Sequence, residues 1–262
     1  MNELGQKVET VTKVYDSIGE LMSEFDALEK QGWWFRGQRN AEWGIESSLQ
    51  RAVKRSGADF QKYETECFRE FRRQAHLYFP ALPAMDSCAE WVGWMQHYGI
   101  PTRLIDITRS PFVALYFAIE DADQTAAIWA FDVNILHAPD RRDRNAIFGL
   151  LADPYSWKQR QPQDFIGSDD MRRVAFMQPH MMPERLRNQQ GAFLFAFDRS
   201  REFLSILDAQ LTGNFQNHVK KLVVSTDMRR DVVRLLRSAN CEGYSLFPGP
   251  DGVGRTLRNL AL

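Results

Sequence analysis

The stretch HYGIPTRLIDITRSPFVALYFAIED, residues 97–121, limits the fold more than any other part of the chain. Residues Ile100 to Thr108 alternate, which sets Thr102, Leu104, Asp106 and Thr108 on one face of a strand and Arg103, Ile105 and Ile107 on the other. Ser110 and Pro111 then form a helix start, with serine as the cap and proline at the first helical position. Phe112, Leu115, Tyr116 and Ile119 continue as the buried face of that helix. A strand passing directly into an apolar helix is the sign of a mixed core.

The other segments fill in around it. Ile18, Leu21, Met22, Phe25 and Leu28 predict a surface helix over 16–30, closed by Gly32. The run WWFRG follows as a strand, rich in aromatic residues with high strand propensity. Residues 40–57 read as loop with at most a turn of helix. Phe60, Tyr63, Cys67, Phe71, Ala75 and Tyr78 recur at helical spacing, and a shorter helix runs from Ser87 to Tyr98. Strands are expected at 126–134, 174–179, 191–198 and 219–227, and helices at 201–211 and 228–239. GPDGVGRT, residues 249–256, reads as a turn, because its glycines lack the Lys-Ser/Thr pair of a nucleotide-binding loop. Between 137 and 170 lies a polar, Arg- and Asp-rich excursion of a length often used for substrate binding. The expected architecture is a single α+β domain over 1–262. A helical N-terminal lobe, about 1–98, carries the first strand motif, and a mixed, short-stranded β core occupies 99–262.

Composition narrows the function classes. The 262 residues carry a formal net charge of −1, so no bulk charge draws the protein to nucleic acid or membrane, although a basic groove is compatible with that total. No apolar run approaches the ~18 residues of a membrane span, and the first residues lack a signal-peptide pattern. Three cysteines, Cys67, Cys88 and Cys241, stand far apart, as expected of reduced thiols in a cytoplasmic protein. The five histidines show no metal spacing, so no metal site is expected.

Four places carry possible chemistry. In WWFRGQ, residues 33–38, the Arg36 fork suits a phosphate or pyrophosphate, and Gly37 lets backbone or ligand pass close by; the alternative is a strand-end arginine paired to a surface carboxylate. Asp106 sits in an apolar strand, where an unpaired carboxylate is costly and Arg103 or Arg36 is the natural partner; such a pair can be purely structural. In RNQQGAF, Gln189 and Gln190 precede a strand and can bond a ligand amide or ribose, or simply face water, with Glu184 the nearest upstream carboxylate. His97 is a candidate general base or a structural histidine at an aromatic helix end.

FRGQ, HYGIPTRLIDITRSPFVALYFA, RNQQGAF and LFPGPDG stand in the order and at the separations found in the FRG-domain family, which the chain resembles from about residue 20 onward. Such domains occur in bacterial and phage-associated proteins. The motif order is also similar, more distantly, to that of ADP-ribosyltransferases, whose NAD site is built from an early Arg-bearing strand, a central strand leading into a helix, and a late strand bearing an acid. That likeness implies an ADP-ribosyltransferase fold and an enzyme, a toxin or phage-defence effector, that moves ADP-ribose from NAD to a macromolecule.

Under this likeness Arg36, Gly37, Gln38, Thr102, Arg103 and Tyr116 contact NAD, while Trp33, Trp34, Tyr98 and Tyr116 wall the nicotinamide. Gln189 and Gln190 stand where the ADP-ribosyltransferase acid is expected; if Gln190 takes that place, orienting the acceptor or the ribose, the acid is Asp106 or, second, Glu184, and otherwise the site binds NAD without turning it over. The acceptor is read as nucleic acid ahead of protein, because Arg141, Arg142, Arg144, Lys158, Arg160, Arg172 and Arg173 crowd the excursion, though acidic residues interleave them. A toxic enzyme implies an inhibitory partner. The competing reading is a non-catalytic sensor that binds a nucleotide or phage ligand in the same pocket. A nuclease ranks third, for want of a carboxylate cluster.

Overall fold

The computed structural model describes residues 8, 10–85, 88–136, 174–179, 182–196, 198 and 201–258. The excursion and its basic cluster lie outside the described residues. The strands are β1 (Val11–Tyr15), β2 (Trp34–Gln38), β3 (Leu104–Thr108), β4 (Ala126–Phe131), β5 (Val174–Met177), β6 (Gly191–Ala196) and β7 (Val219–Val224). They form one seven-stranded sheet in the order β1-β7-β4-β2-β3-β6-β5. Only the β1–β7 pair is parallel; the other neighbours are antiparallel. The helices are α1 (Ile18–Lys30), α2 (Ser48–Ser56), α3 (Phe60–Ala75), α4 (Cys88–His97), α5 (Pro111–Ile119), α6 (Glu184–Asn188), α7 (Phe203–Leu211), α8 (Phe215–His218), α9 (Arg229–Ser238), α10 (Gly243–Leu246) and α11 (Pro250–Arg258). The fold is mixed α+β, built on a single sheet.

The strand period of two distributes the core. On one face, Trp33, Phe35, Ile128, Ala130, Leu222 and Val224 pack against α1, α5 and α9. Further along the same face, Leu104, Phe193, Phe195, Ala175 and Met177 pack against α3 and α4. On the opposite face Trp34, Ile105, Ile107, Trp129 and Leu194 meet α7 and α8, and Ala41, Ala127 and Val223 form a separate small cluster. The first face is therefore shared by two groups of helices. Their boundary falls at the junction of β2 and β3.

That junction is also where the sheet is weakest. β2 pairs with β4 over five residues, Trp34 to Gln38, but with β3 only at Phe35↔Thr108. The helix α5 crosses here. A Cβ on Gly37 would stand 1.9 Å from the Ala114 carbonyl oxygen and 2.6 Å from the Ala118 nitrogen, so α5 lies directly on the backbone of β2. The glycine of the FRG motif is required by this close approach of protein backbone.

The short helices α6, α8 and α10 were not foreseen, and three further elements differ from the sequence reading. Residues 48–56 form the full helix α2, because Ser47 and Gln50 make a reciprocal capping box at its start and Gly57, at φ 67°, closes it. β1 was not legible as a strand because it is a mostly exposed edge, without an alternating buried face. The glycine-rich run 249–256 is helical in α11. Gly252 is buried there because a side chain would meet the Phe247 carbonyl at 2.2 Å, so the glycine marks helix–helix contact instead of a turn.

A methyl group at Gly37 meets helix backbone, which cannot swing away. Gly37→Ala is expected to destabilise the fold by at least about 2 kcal/mol in chemical denaturation. Gly254→Ala, with nothing within 4 Å of the new methyl, should be neutral or stabilising.

Candidate functional site

The parted strands open a cleft of about 760 Å³ bordered by β2, β3, the loop 39–47, α2, α5 and α6. Its walls include Arg36, Gln38, Arg39, Trp43, Glu46, Arg51, Asp106, Phe117, Arg185 and Gln189. The volume lies within the range of small-molecule sites, roughly 300–1,000 Å³.

Arg36 spans the gap. Its Nη1 donates to the Asp106 carbonyl at 2.8 Å and lies 3.9 Å from the Asp106 carboxylate. The side chain is 17% exposed, and its Nε is buried with no hydrogen-bond partner among the described residues. Burial pushes this guanidinium below its ordinary range; Asp106 pulls it back, and the like charge of Arg51 pushes it down again. Arg36, Arg39, Arg51 and Arg185 line the cleft with Glu42, Glu46 and Asp106, so positive charge has the slight excess there.

Asp106 is 60% exposed, so it escapes the burial cost expected of a carboxylate in an apolar strand. One oxygen is held. Gln96 Nε2 donates to Asp106 Oδ2 at 2.8 Å, and Thr102 Oγ1 donates to Gln96 Oε1 at 2.6 Å. Thr102 Oγ1 accepts from the Leu104 N–H at 3.1 Å, so its own proton is available for Gln96. That chain of donors turns the Gln96 amide toward the carboxylate. Ser48 anchors it from α2, accepting from the Thr102 N–H at 3.0 Å.

The remaining candidates separate into those the fold brings to the cleft and those it does not. Gln38 borders the cleft, but its amide is used: it donates to the Gly44 carbonyl at 3.0 Å and accepts from Trp129 Nε1 at 2.6 Å. Thr102 is buried and acts through Gln96. Arg103, 3% exposed, is not a partner of Asp106; it pairs with Glu64 at 2.6 Å and ties β3 to α3. It stands at the bend before β3, outside the strand alternation, with its guanidinium over the Phe195 ring on the face covered by α3. Tyr116 is buried against α5's own side of the core, where its hydroxyl bonds Glu120 at 2.8 Å. Glu184 is exposed and lies 4.0 Å from Arg187, outside the cleft walls. Gln190 is exposed at a left-handed φ of 47° and does not line the cleft, whereas Gln189 does. The expected nicotinamide walls are elsewhere as well. Trp33 and Trp34 are buried on opposite faces of the sheet, and Tyr98 joins an aromatic cluster with Phe79 and Trp94. The aromatic side chains at the cleft are Trp43 and Phe117.

Sequence reasoning missed Arg51, Gln96, Gln189 as the inward-facing glutamine, and Arg185. Gln96 carried a signal, a polar residue in the apolar helix α4, next to His97. His97 itself is half-buried, and burial followed by the nearby Arg185 holds it below the ordinary histidine range. Among the described residues no group of three or more His, Cys, Asp or Glu could hold a metal ion, and no helix is long and apolar enough to cross a membrane.

The structure thus defines a mixed α+β protein with a charged cleft at the parting of two strands. Residues 31–127 match the family model of the FRG domain. This segment contains β2, α2 to α4, β3 and α5, and so supplies Arg36, Gln96 and Asp106. RNQQGAF and LFPGPDG lie beyond it. No curated protein and no solved structure matches the chain.

A folded-state depression of His97 means that the folded protein binds that proton less readily than the unfolded chain. Its contribution to stability is present above the unfolded value, near 6.5, and is lost as pH falls through that value toward the lower folded one. NMR titration should place His97 below 6.5, and Arg185→Gln should raise it, because one of the two causes is removed.

Proposed function

We propose that this cleft binds NAD and transfers its ADP-ribose to a macromolecular acceptor, with nucleic acid ahead of protein. The observation that carries the reading is the meeting, in one cleft, of a half-buried arginine fork and a carboxylate whose orientation is set from behind. Support also comes from the sheet order: β2, β3 and the strand after Gln189 and Gln190, β6, lie side by side. That the three motif strands are neighbours is what makes a single site shared by the three motifs reasonable.

In this reading Arg36 holds the pyrophosphate through parallel charge-assisted bonds. The bond between nicotinamide nitrogen and ribose C1′ breaks, and its electron pair leaves with the nicotinamide, which departs neutral. Positive charge then builds on the ribose, and the Asp106 carboxylate stabilises it at close range. The acceptor's nucleophile bonds to C1′ and releases its proton to Asp106 or to water. Gln96 leaves one Asp106 oxygen free of the relay for this role. Asp106 is preferred to Glu184 as the acid because it lines the cleft. NAD is the co-substrate, and an inhibitory partner belongs to the same reading if the activity is toxic.

A non-catalytic nucleotide sensor is the second reading, favoured by the absence of a glutamate on β6's leading edge, where Gln189 and Gln190 stand. Nicotinamide release from NAD, measured with RNA, DNA or protein acceptors present, separates the two. Transfer predicts release that falls about 100-fold or more in Asp106→Asn, which keeps the shape but not the charge, and as far in Arg36→Gln. Tight NAD binding without release under any acceptor would overturn the transferase reading in favour of the sensor.

A further inference from the structure

Arg185 is the residue of the cleft with no explanation in the fold. It stands on α6, half-buried, with its guanidinium 4.7 Å from the centre of the Phe247 ring. Its neighbours have counter-charges. Arg187 pairs with Glu184 at 4.0 Å; Arg255, over the same Phe247 ring at 4.0 Å, pairs with Glu120 at 2.8 Å and Asp251 at 3.3 Å. Among the described residues, Arg185 has no carboxylate within ion-pair distance and no hydrogen bond. Burial pushes its guanidinium below the ordinary range; Asp106 offsets this, Arg255 adds to it, and Asp251 and Glu120 lie further down the balance.

A half-buried cation whose described partner is an aromatic ring and not a carboxylate is costly, and a fold that merely needed bulk here could carry leucine. The position is held firmly all the same. Leu186, the next residue, packs so closely on Gly191 that a methyl there would meet it at 2.4 Å. Gln189 donates to the Leu246 carbonyl at 3.2 Å, and its own carbonyl accepts from Thr108 Oγ1 at 2.7 Å. The helix that carries the guanidinium is thus held by packing at Leu186 and by hydrogen bonds at Gln189, with no carboxylate neutralising the charge.

Its place relative to Arg36 defines the ligand. In the sheet order β2-β3-β6, Arg36 lies on the β2 side of Asp106 and Arg185, on the helix leading into β6, on the other; Arg51, on α2, lines the same cleft and is near enough to push the Arg36 guanidinium down. Both sides line the same cleft. We propose that Arg185 is a second anion-binding residue of the cleft, so that the site recognises a ligand carrying two phosphoryl groups, one drawn to Arg36 and Arg51 and the other to Arg185. The inference deepens the reading above and rests on it for phosphate as the anion, but it requires no turnover. It also gives the cleft a selectivity that Arg36 alone lacks: a monophosphate leaves one side's charge unmet.

The test is calorimetric titration of the full chain with inorganic pyrophosphate and with ADP-ribose, beside orthophosphate and adenosine. Pyrophosphate and ADP-ribose are expected to bind at least about tenfold more tightly than orthophosphate, with adenosine weaker still. Arg185→Gln should erase that preference and weaken pyrophosphate about tenfold, while Arg185→Lys, which keeps the charge but loses the fork, recovers part of it. Equal affinity of the wild type for pyrophosphate and orthophosphate overturns the inference, and needs no variant to fold. So does a folded Arg185→Gln that binds pyrophosphate as the wild type does. Pyrophosphate binding lost on Arg185→Gln, together with NAD that is bound but never cleaved, would uphold this inference while the transferase reading fails.

Discussion

The parting of β2 from β3 is the constraint on which the rest of the site depends. An antiparallel pair that continued past Phe35↔Thr108 would close the sheet and leave no cleft. α5 lies on the far part of β2 through Gly37, and the helical layer divides at the same place. The strands need something to span the gap, since an unpaired carbonyl away from water is costly. Arg36 does this by donating to the Asp106 carbonyl, a charge-assisted bond of a kind that contributes about 1.5–3 kcal/mol. The same guanidinium then has capacity left over, including the buried Nε. Structure and ligand binding are joined in one side chain: the bond that keeps the cleft in shape also aims the cation into it.

The FRGQ motif reads differently in this light. Phe35 is core, Gly37 admits α5, and Gln38 is fully engaged between Gly44 and Trp129. Three of the four residues serve the architecture that positions the fourth. A motif of this kind specifies a packing arrangement first, and chemistry only at Arg36. The pairing of Arg103 with Glu64 makes the same point within the central strand. Two charged residues in LIDIT and its approach look equivalent as sequence, yet one is sealed in a buried ion pair and the other stands in an open cleft.

The mixed α+β class, α1, α3, α4, the capped α5 and the strands β2 to β7 were legible because their signals are local: period, cap and composition. α2 and α11 were not, since their helical nature rests on a capping box within a polar run and on glycines that admit neighbouring backbone. β1 was hidden by its exposure. Of the site, Arg36 and Asp106 stood out as charges against apolar surroundings. Arg185 did not, because nothing in RLRNQQ separates the arginine that finds a carboxylate from the one that does not. That distinction arises only when α6 is laid against Phe247 and Arg255. Likewise, which of Gln189 and Gln190 turns inward is decided by one left-handed residue at the start of β6.

The charges of the cleft are not arranged for stability. Arg36, Arg39, Arg51 and Arg185 face it with Glu42, Glu46 and Asp106, and Glu46 is already engaged by Lys54. The shortest contacts of two of the arginines are to backbone carbonyls: Arg51 donates to that of Glu46 at 2.6 Å and Arg36 to that of Asp106 at 2.8 Å, while the Arg36–Asp106 ion pair is looser, at 3.9 Å. Carbonyl acceptors fix a guanidinium in place without cancelling its charge. The Asp106 carboxylate, in turn, is bound by the neutral amide of Gln96, which fixes its orientation and likewise leaves its charge intact. A fold selected only for stability would pair these groups with one another. Holding Arg36 and Asp106 mainly through a carbonyl and an amide keeps positive and negative charge side by side at the cleft.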